Sequence, residues 1–138
     1  MRALFLSLTL VGLTACAPPD LSGAWVGNAY CDGFPIDMEF TLTATEDEGE
    51  YAGEGSVSAS DSQGNSFFLS YALEVEHGDA TDAGMDLVID VEDCFDEDGN
   101  QYACFEAALN WDEGDDEIKG QVTEFFVQPG TCDVEVER

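Results

Sequence analysis

Apolar and polar residues alternate along most of the chain beyond its first twenty positions. The alternation is clearest from Phe67 to Val75 and from Met85 to Val91, where apolar residues recur at every second position. A period of two places successive side chains on opposite faces of a β-strand, and no stretch of ten or more residues has helical spacing. The pattern therefore predicts eight strands. Turn-forming pairs separate them: Asp32-Gly33, Glu48-Gly49, Gly64-Asn65, His77-Gly78, Asp98-Gly99, Glu113-Gly114 and Pro129-Gly130.

Eight short strands, each with one apolar face, predict a single all-β domain over residues 21–138. An antiparallel up-and-down barrel suits them best, because closure buries the apolar face and removes the free edges. A sandwich of eight strands is the alternative that the pattern alone leaves open.

The first 15 residues are expected to be a signal peptide rather than part of the fold. A positive start, Met1-Arg2, precedes an apolar run over residues 3–13 that is too short to span a bilayer. Leu13-Thr14-Ala15-Cys16 resembles the lipobox of bacterial lipoproteins, which implies cleavage before Cys16 and lipidation of its thiol. Residues 16–20 would then form a short tether. Ala17 after the lipidated residue is similar to the outer-membrane sorting pattern of diderm bacteria.

The remaining cysteines are Cys31, Cys94, Cys104 and Cys132, an even number that predicts two disulfides in an oxidising compartment. In a closed meander the first and last strands are neighbours, so Cys31 lies beside Cys132, and Cys94 and Cys104 flank a single hairpin. Barrel closure thus predicts the pairs Cys31–Cys132 and Cys94–Cys104. Zinc is not expected, because the spacings are not CxxC and the chain contains a single histidine.

The first predicted strand also carries a family resemblance. Gly23-Ala24-Trp25 resembles the Gly-x-Trp motif of the calycin barrels, which include lipocalins and avidins, and the segment from Gly49 to Gly55 is similar to the third-strand region of avidin-like chains. The resemblance implies that Trp25 packs across the closed end of the barrel. Lipocalins also stack a basic residue on this tryptophan, a role that the sequence assigns to neither Lys119 nor Arg138. The avidin ligand residues have no match, so the resemblance implies a fold and no ligand.

Charge narrows the list of partners. The chain has 31 Asp and Glu against 3 Lys and Arg, a net charge of −28. The absence of a basic patch excludes sequence-independent nucleic-acid binding, and the negative charge opposes docking on anionic lipid.

The predicted meander divides the carboxylates unequally between its ends. The end with the N-terminus is the denser one and holds Glu46, Asp47, Glu48, Glu50, Glu76, Asp79, Asp82, Asp86, Asp112, Glu113, Asp115, Asp116 and Glu117. The disulfide end holds Asp32, Asp37, Asp61, Glu92, Asp93, Asp96, Glu97 and Asp98.

Solubility explains such acidity, and Ca²⁺ binding is the alternative, since convergent acidic turns can supply oxygen ligands. The candidate Ca²⁺ ligands are Asp112, Asp115 and Asp116 at one end, or Asp96 and Asp98 at the other. The second pair lies in a segment that resembles part of a calcium loop, although Phe105 stands where that loop has Glu.

No catalytic constellation emerges, and His77 is expected to lie solvated in a turn, so a non-enzymatic protein is predicted. One hypothesis is a small apolar or amphipathic ligand inside the barrel. The side chains that would line or fill its lumen are Phe40, Phe67, Tyr71, Phe105, Trp111 and Glu124.

Two further hypotheses place the function on the outside of the barrel. In one, the acidic surface binds a basic partner protein, as in the membrane-bound lysozyme inhibitors. Tyr30-Cys31-Asp32-Gly33 and Cys132 are similar to that family, whose Ser-Gly-x-x-Tyr loop is missing. In the other, the protein is a structural envelope lipoprotein, with or without Ca²⁺. A filled lumen favours these two hypotheses over a ligand in the barrel, and an open lumen favours the ligand.

Overall fold

The structure, a computed structural model, describes residues 20–82, 84–112, 116–123 and 130–138. It contains eight strands, and each pairs antiparallel with the next. The first also pairs with the last, so the sheet is a closed barrel. The strands are β1 (Gly23–Cys31), β2 (Phe34–Ala44), β3 (Glu50–Ser60), β4 (Ser66–Thr81), β5 (Gly84–Asp96), β6 (Glu106–Asp112), β7 (Glu117–Thr123) and β8 (Thr131–Glu137). The predicted barrel is confirmed and the sandwich is excluded. The described residues include no helix that is long and apolar enough to cross a membrane.

Both predicted disulfides are confirmed. Cys31 and Cys132 face each other in the register between β1 and β8, with their Cα atoms 4.3 Å apart. Cys94 near the end of β5 is bonded to Cys104, which precedes β6, across a Cα distance of 5.5 Å. Both bonds lie at the same end of the barrel, which we call the disulfide end. The opposite end, where the described chain begins at Asp20, is the N-terminal end.

Alternating side chains fill the interior. On β2 the buried residues are Ile36, Met38, Phe40 and Leu42, with exposed residues between them. Inward side chains of all eight strands join one hydrophobic cluster, and no polar or charged residue is buried among the described residues. The rings of Tyr71 and Phe105 meet edge to face inside it, 5.2 Å between centroids.

Gly55 leaves room for the Tyr71 ring against β3. A Cβ at Gly55 would lie 2.6 Å from the Tyr71 ring and hydroxyl, so only glycine lets the tyrosine lie against β3. The Tyr71 hydroxyl donates a hydrogen bond to the backbone oxygen of Glu39, 3.3 Å away. Burial raises the pKa of Tyr71, with a smaller contribution from the Glu39 carboxylate, so the phenol stays neutral.

The predicted turn at His77-Gly78 is wrong. β4 continues to Thr81, and a register irregularity between His77 and Ala80 takes the place of the turn. The backbone N–H of His77 donates to the oxygen of Gly49 at 3.1 Å, and its ring packs 5.6 Å from that of Tyr51. These contacts extend β4 beyond the β2–β3 turn. They leave His77 partly buried rather than solvated.

Candidate functional site

Most of the predicted lumen residues do lie inside the barrel. Phe40, Tyr71, Phe105 and Trp111 are at most 4% exposed. Phe67 departs from this prediction, because its side chain is 37% exposed. It shares the inward parity of Leu69 and Tyr71, but it pairs with Ala59 close to the β3–β4 turn, where the wall ends.

Glu124, the sixth predicted lumen residue, lies outside the described residues, as do the leader and Cys16. The indole Nε1 of Trp111 is buried without a hydrogen-bond partner in the described part of the chain. Nε2 of His77 is buried without one as well, and burial lowers the pKa of this imidazole.

A stack of side chains covers the N-terminal end. Trp25 is fully buried, and its indole N–H donates to the backbone oxygen of Leu21 at 2.9 Å. The guanidinium of Arg138 lies over the Trp25 ring, 4.9 Å from its centroid. Gly23 has a φ of +129°, and a Cβ there would lie 3.2 Å from Cδ of Arg138. Glycine and tryptophan of the Gly-x-Trp motif therefore both contact Arg138, whose role the sequence left unassigned.

Arg138 also ties three segments together. It donates to the backbone oxygens of Asp20 at 2.9 Å and Ser22 at 2.8 Å. Two further bonds, of 2.7 and 3.1 Å, form a bidentate pair with the Asp116 carboxylate. Such a fork suits guanidinium geometry and fixes the start of β1 to the start of β7 and the end of β8.

The candidate Ca²⁺ ligands fall only partly within the described residues, in which no group of three possible metal ligands lies close together. Asp116 is paired with Arg138, Asp115 falls outside the described residues, and the side chain of Asp112 is not described. At the other end, Asp96 and Asp98 belong to a turn. The geometry assigns that turn a structural role.

Two turns at the disulfide end share one sequence and one set of hydrogen bonds. Asp61 and Asp96 each begin an Asp-x-x-Gly-Asn segment. In both, one carboxylate oxygen accepts two backbone N–H groups, at 2.8–2.9 Å from Gln63 and Asn65 and at 2.8–3.0 Å from Asp98 and Asn100. The other oxygen accepts the asparagine side chain.

These bonds favour the ionised carboxylates. The side-chain bond from Asn65 is the main cause that lowers the pKa of Asp61, and the one from Asn100 does the same for Asp96. The Asp96 carboxylate also accepts the Tyr102 hydroxyl at 3.1 Å. A negative charge on Asp96 is therefore used to build the turn.

Exposed aromatic side chains are confined to the disulfide end in the described chain. They are Tyr30, Phe34, Phe67, Phe68 and Tyr102, each 37–46% exposed, and we call them the aromatic rim. The other exposed large apolar residues in the described ranges are Val26 and Val88, on the outer wall.

Two grooves meet at Phe67 and Phe68. One, of about 270 Å³, runs between these rings and Tyr102 and is bordered by Glu97 and Asp98. The other, of about 440 Å³, runs from Phe68 toward Pro35.

No protein-family model matches this chain, and neither do the curated proteins or the solved structures with which it was compared.

Proposed function

We propose that the protein is a non-enzymatic, lipid-anchored envelope protein that acts through the outside of a calycin-like barrel and binds a basic partner protein. The observation that carries the proposal is the interior, where buried aromatic and aliphatic side chains occupy the space that a ligand would need. A net charge of −28 leaves the acidic surface as the feature available for recognition. Such a surface attracts cationic proteins and accelerates their encounter.

The contact between Arg138 and Trp25 supports the calycin-like part of the proposal. In the lipocalin pattern a basic residue near the last strand stacks on the tryptophan of Gly-x-Trp. Here Arg138 directly follows β8, and its guanidinium lies 4.9 Å from the centre of the Trp25 ring.

The envelope location rests on the lipobox-like Leu13-Thr14-Ala15-Cys16 and on two disulfides, which persist in oxidising compartments. Under this proposal the acyl groups on Cys16 hold the chain at the outer membrane of a diderm bacterium. They also overcome the repulsion between an acidic protein and an anionic lipid surface.

Native mass spectrometry of the full-length protein, purified from its own envelope in mild detergent, tests the lipid anchor and the side-chain-filled interior together. We expect the mass of an acylated Cys16, two disulfides and no retained apolar molecule. A Cys16→Ser variant should leave the membrane fraction. A stoichiometric apolar ligand on the purified protein would overturn the surface function in favour of a binding barrel.

Capture with the same detergent-purified protein tests the partner. We expect it to retain basic proteins of the envelope at low salt and to release them steeply as salt rises. Retention of acidic and basic proteins alike, or of neither, would contradict recognition by charge.

A further inference from the structure

The side chains of the aromatic rim stay exposed, although the Tyr102 hydroxyl also donates to the Asp96 carboxylate. The rings of the rim stand at the ends of β1, β2 and β4 and in the β5–β6 turn, outside the cluster that fills the interior. Five exposed aromatics gathered at one end, with none at the other in the described chain, make an asymmetric surface. Aromatic rings that remain solvent-exposed in a cluster are typical of interaction sites.

Acidic side chains border the same surface. Glu97 and Asp98 are exposed beside Phe67, Phe68 and Tyr102 in the 270 Å³ groove. Asp98 contributes its backbone N–H to the turn, whereas the turn uses the carboxylate of Asp96. The groove therefore combines π faces with carboxylates. Cations favour both, since a guanidinium or ammonium is attracted to a ring face and pairs with an acid.

The position of the rim argues against lipid as the occupant. β1 runs from the N-terminal end to the disulfide end over 9 residues, a length of about 30 Å at the usual rise of a strand. A tether that precedes Asp20 therefore holds the opposite end of the barrel near the membrane. Acidic residues around the rim would also be repelled by anionic headgroups.

We propose that the groove between Phe68 and Tyr102 is the docking site for an arginine or lysine side chain of the basic partner protein, held by the rings and by Glu97 and Asp98. This inference rests on the proposed function and adds to it the place and the chemistry of recognition. Neutral glycans also stack on aromatic rings and can donate hydroxyl hydrogen bonds to carboxylates, but they carry no charge, so the negative charge favours the cationic protein segment.

The test uses the full-length, detergent-purified protein and two synthetic peptides, one alternating arginine with glycine and one with citrulline, the neutral isostere, in place of arginine. We expect the arginine peptide to bind in titration calorimetry and the citrulline peptide to bind at least tenfold more weakly. A Phe68→Leu variant should lose several-fold in affinity for the arginine peptide, since a cation–π contact is removed while the bond from Tyr102 to Asp96 is kept.

Matched variants distinguish binding at the aromatic rim from attraction by net charge alone. Val26→Ala/Val88→Ala removes exposed apolar groups from the wall and should leave the affinity unchanged. Asp98→Asn at the rim should weaken binding several-fold, whereas Asp47→Asn at the N-terminal end should not. Amide NMR shifts caused by the arginine peptide should cluster at the rim.

Each outcome has a distinct meaning. If the arginine peptide binds and the rim variants bind it equally well, the docking site is refuted while the charge-based function stands. If neither peptide nor any basic protein binds even at low salt, both fail. Binding of chitooligosaccharide to the rim in place of the arginine peptide would identify it as a glycan site instead.

Discussion

The two ends of the barrel are built from different interactions. At the N-terminal end, Trp25 is buried beneath Arg138, and the guanidinium binds both the start of β1 and Asp116. At the disulfide end, two covalent bonds and two Asp-x-x-Gly-Asn turns fix the loops, and the side chains of the aromatic rim are exposed. The N-terminal end buries Trp25 for stability. The disulfide end obtains stability from disulfides and charged turns, to which Tyr102 adds a hydrogen bond, and the side chains of the aromatic rim stay exposed.

The largest expected effect comes from removing the disulfide between Cys31 and Cys132, which joins β1 to β8. Cys31 and Cys132 are separated by 101 positions, and Cys94 and Cys104 by 10. In the chain-entropy model, replacing the first pair by serines lowers the free energy of unfolding by about 4–5 kcal/mol and replacing the second by about 2–3 kcal/mol. Urea unfolding of the two double variants measures both. Equal losses would show that loop length does not govern stability at this end.

Replacing a buried aromatic residue should lower the free energy of unfolding much more than replacing an exposed one. Trp25→Ala leaves a cavity at the N-terminal end and should cost about 3–5 kcal/mol in urea unfolding. Phe68→Ala at the rim should cost under about 1 kcal/mol, because its ring is 38% exposed. Val26→Ala, next to Trp25 and 55% exposed, is the matched control. A large loss from Phe68→Ala would assign the rim to folding and contradict the division between the ends.

Arg138 should matter more than the other described cation. Arg138→Met removes a cation–π contact and charged hydrogen bonds from a partly buried site, so we expect a loss of about 2 kcal/mol. Lys119 is paired with Glu117 and more exposed, and Lys119→Met should change stability by under about 1 kcal/mol. Thermal unfolding compares them. Arg138→Lys should restore little, because an ammonium lacks the planar fork, and full rescue would reduce the role of Arg138 to its charge.

The smallest expected effect is a pH dependence at the disulfide end. The pKa values of Asp61 and Asp96 are lowered in the fold, so their contribution is complete above about pH 4, the ordinary range of an aspartate. It is lost as the pH falls through the lower folded values. Melting temperatures between pH 2 and 6 should fall less steeply for Asp61→Asn and Asp96→Asn than for the wild type. An unchanged slope in both variants would show that the charges of these two carboxylates do not stabilise the fold.

Sequence reasoning predicted the barrel and both disulfides because one geometric condition, closure, links them. Period-two burial places Phe40, Tyr71 and Trp111 inside, and the parity rule needs no tertiary information. The same rule fails for Phe67, since parity describes a face of a strand and not the height at which the opposite wall ends. The turn predicted at His77-Gly78 was wrong for a related reason. A glycine also suits an irregularity inside a long strand.

The sites were harder to predict than the fold. The role of Arg138 depends on contacts with Asp20, Ser22 and Trp25, which are distant in sequence. Asp96 is a candidate metal ligand from sequence because a turn and part of a calcium loop favour the same residue types, and the structure shows its carboxylate bonded within a turn. The repeat of Asp-x-x-Gly-Asn at Asp61 was the signal that could have identified a turn. The rim had no local signature, since its rings come from four separate segments.

Closure of the barrel also has a kinetic consequence. Every strand pairing joins neighbours along the chain except that between β1 and β8, which spans nearly the whole domain. Local hairpins lose little conformational entropy on loop closure and form early. The pairing of β1 with β8 closes a much longer loop, so it forms later. Until it forms, β1 and β8 are open edges that a second molecule can pair with. The pairing of β1 with β8 is thus the folding step that competes with strand exchange between chains.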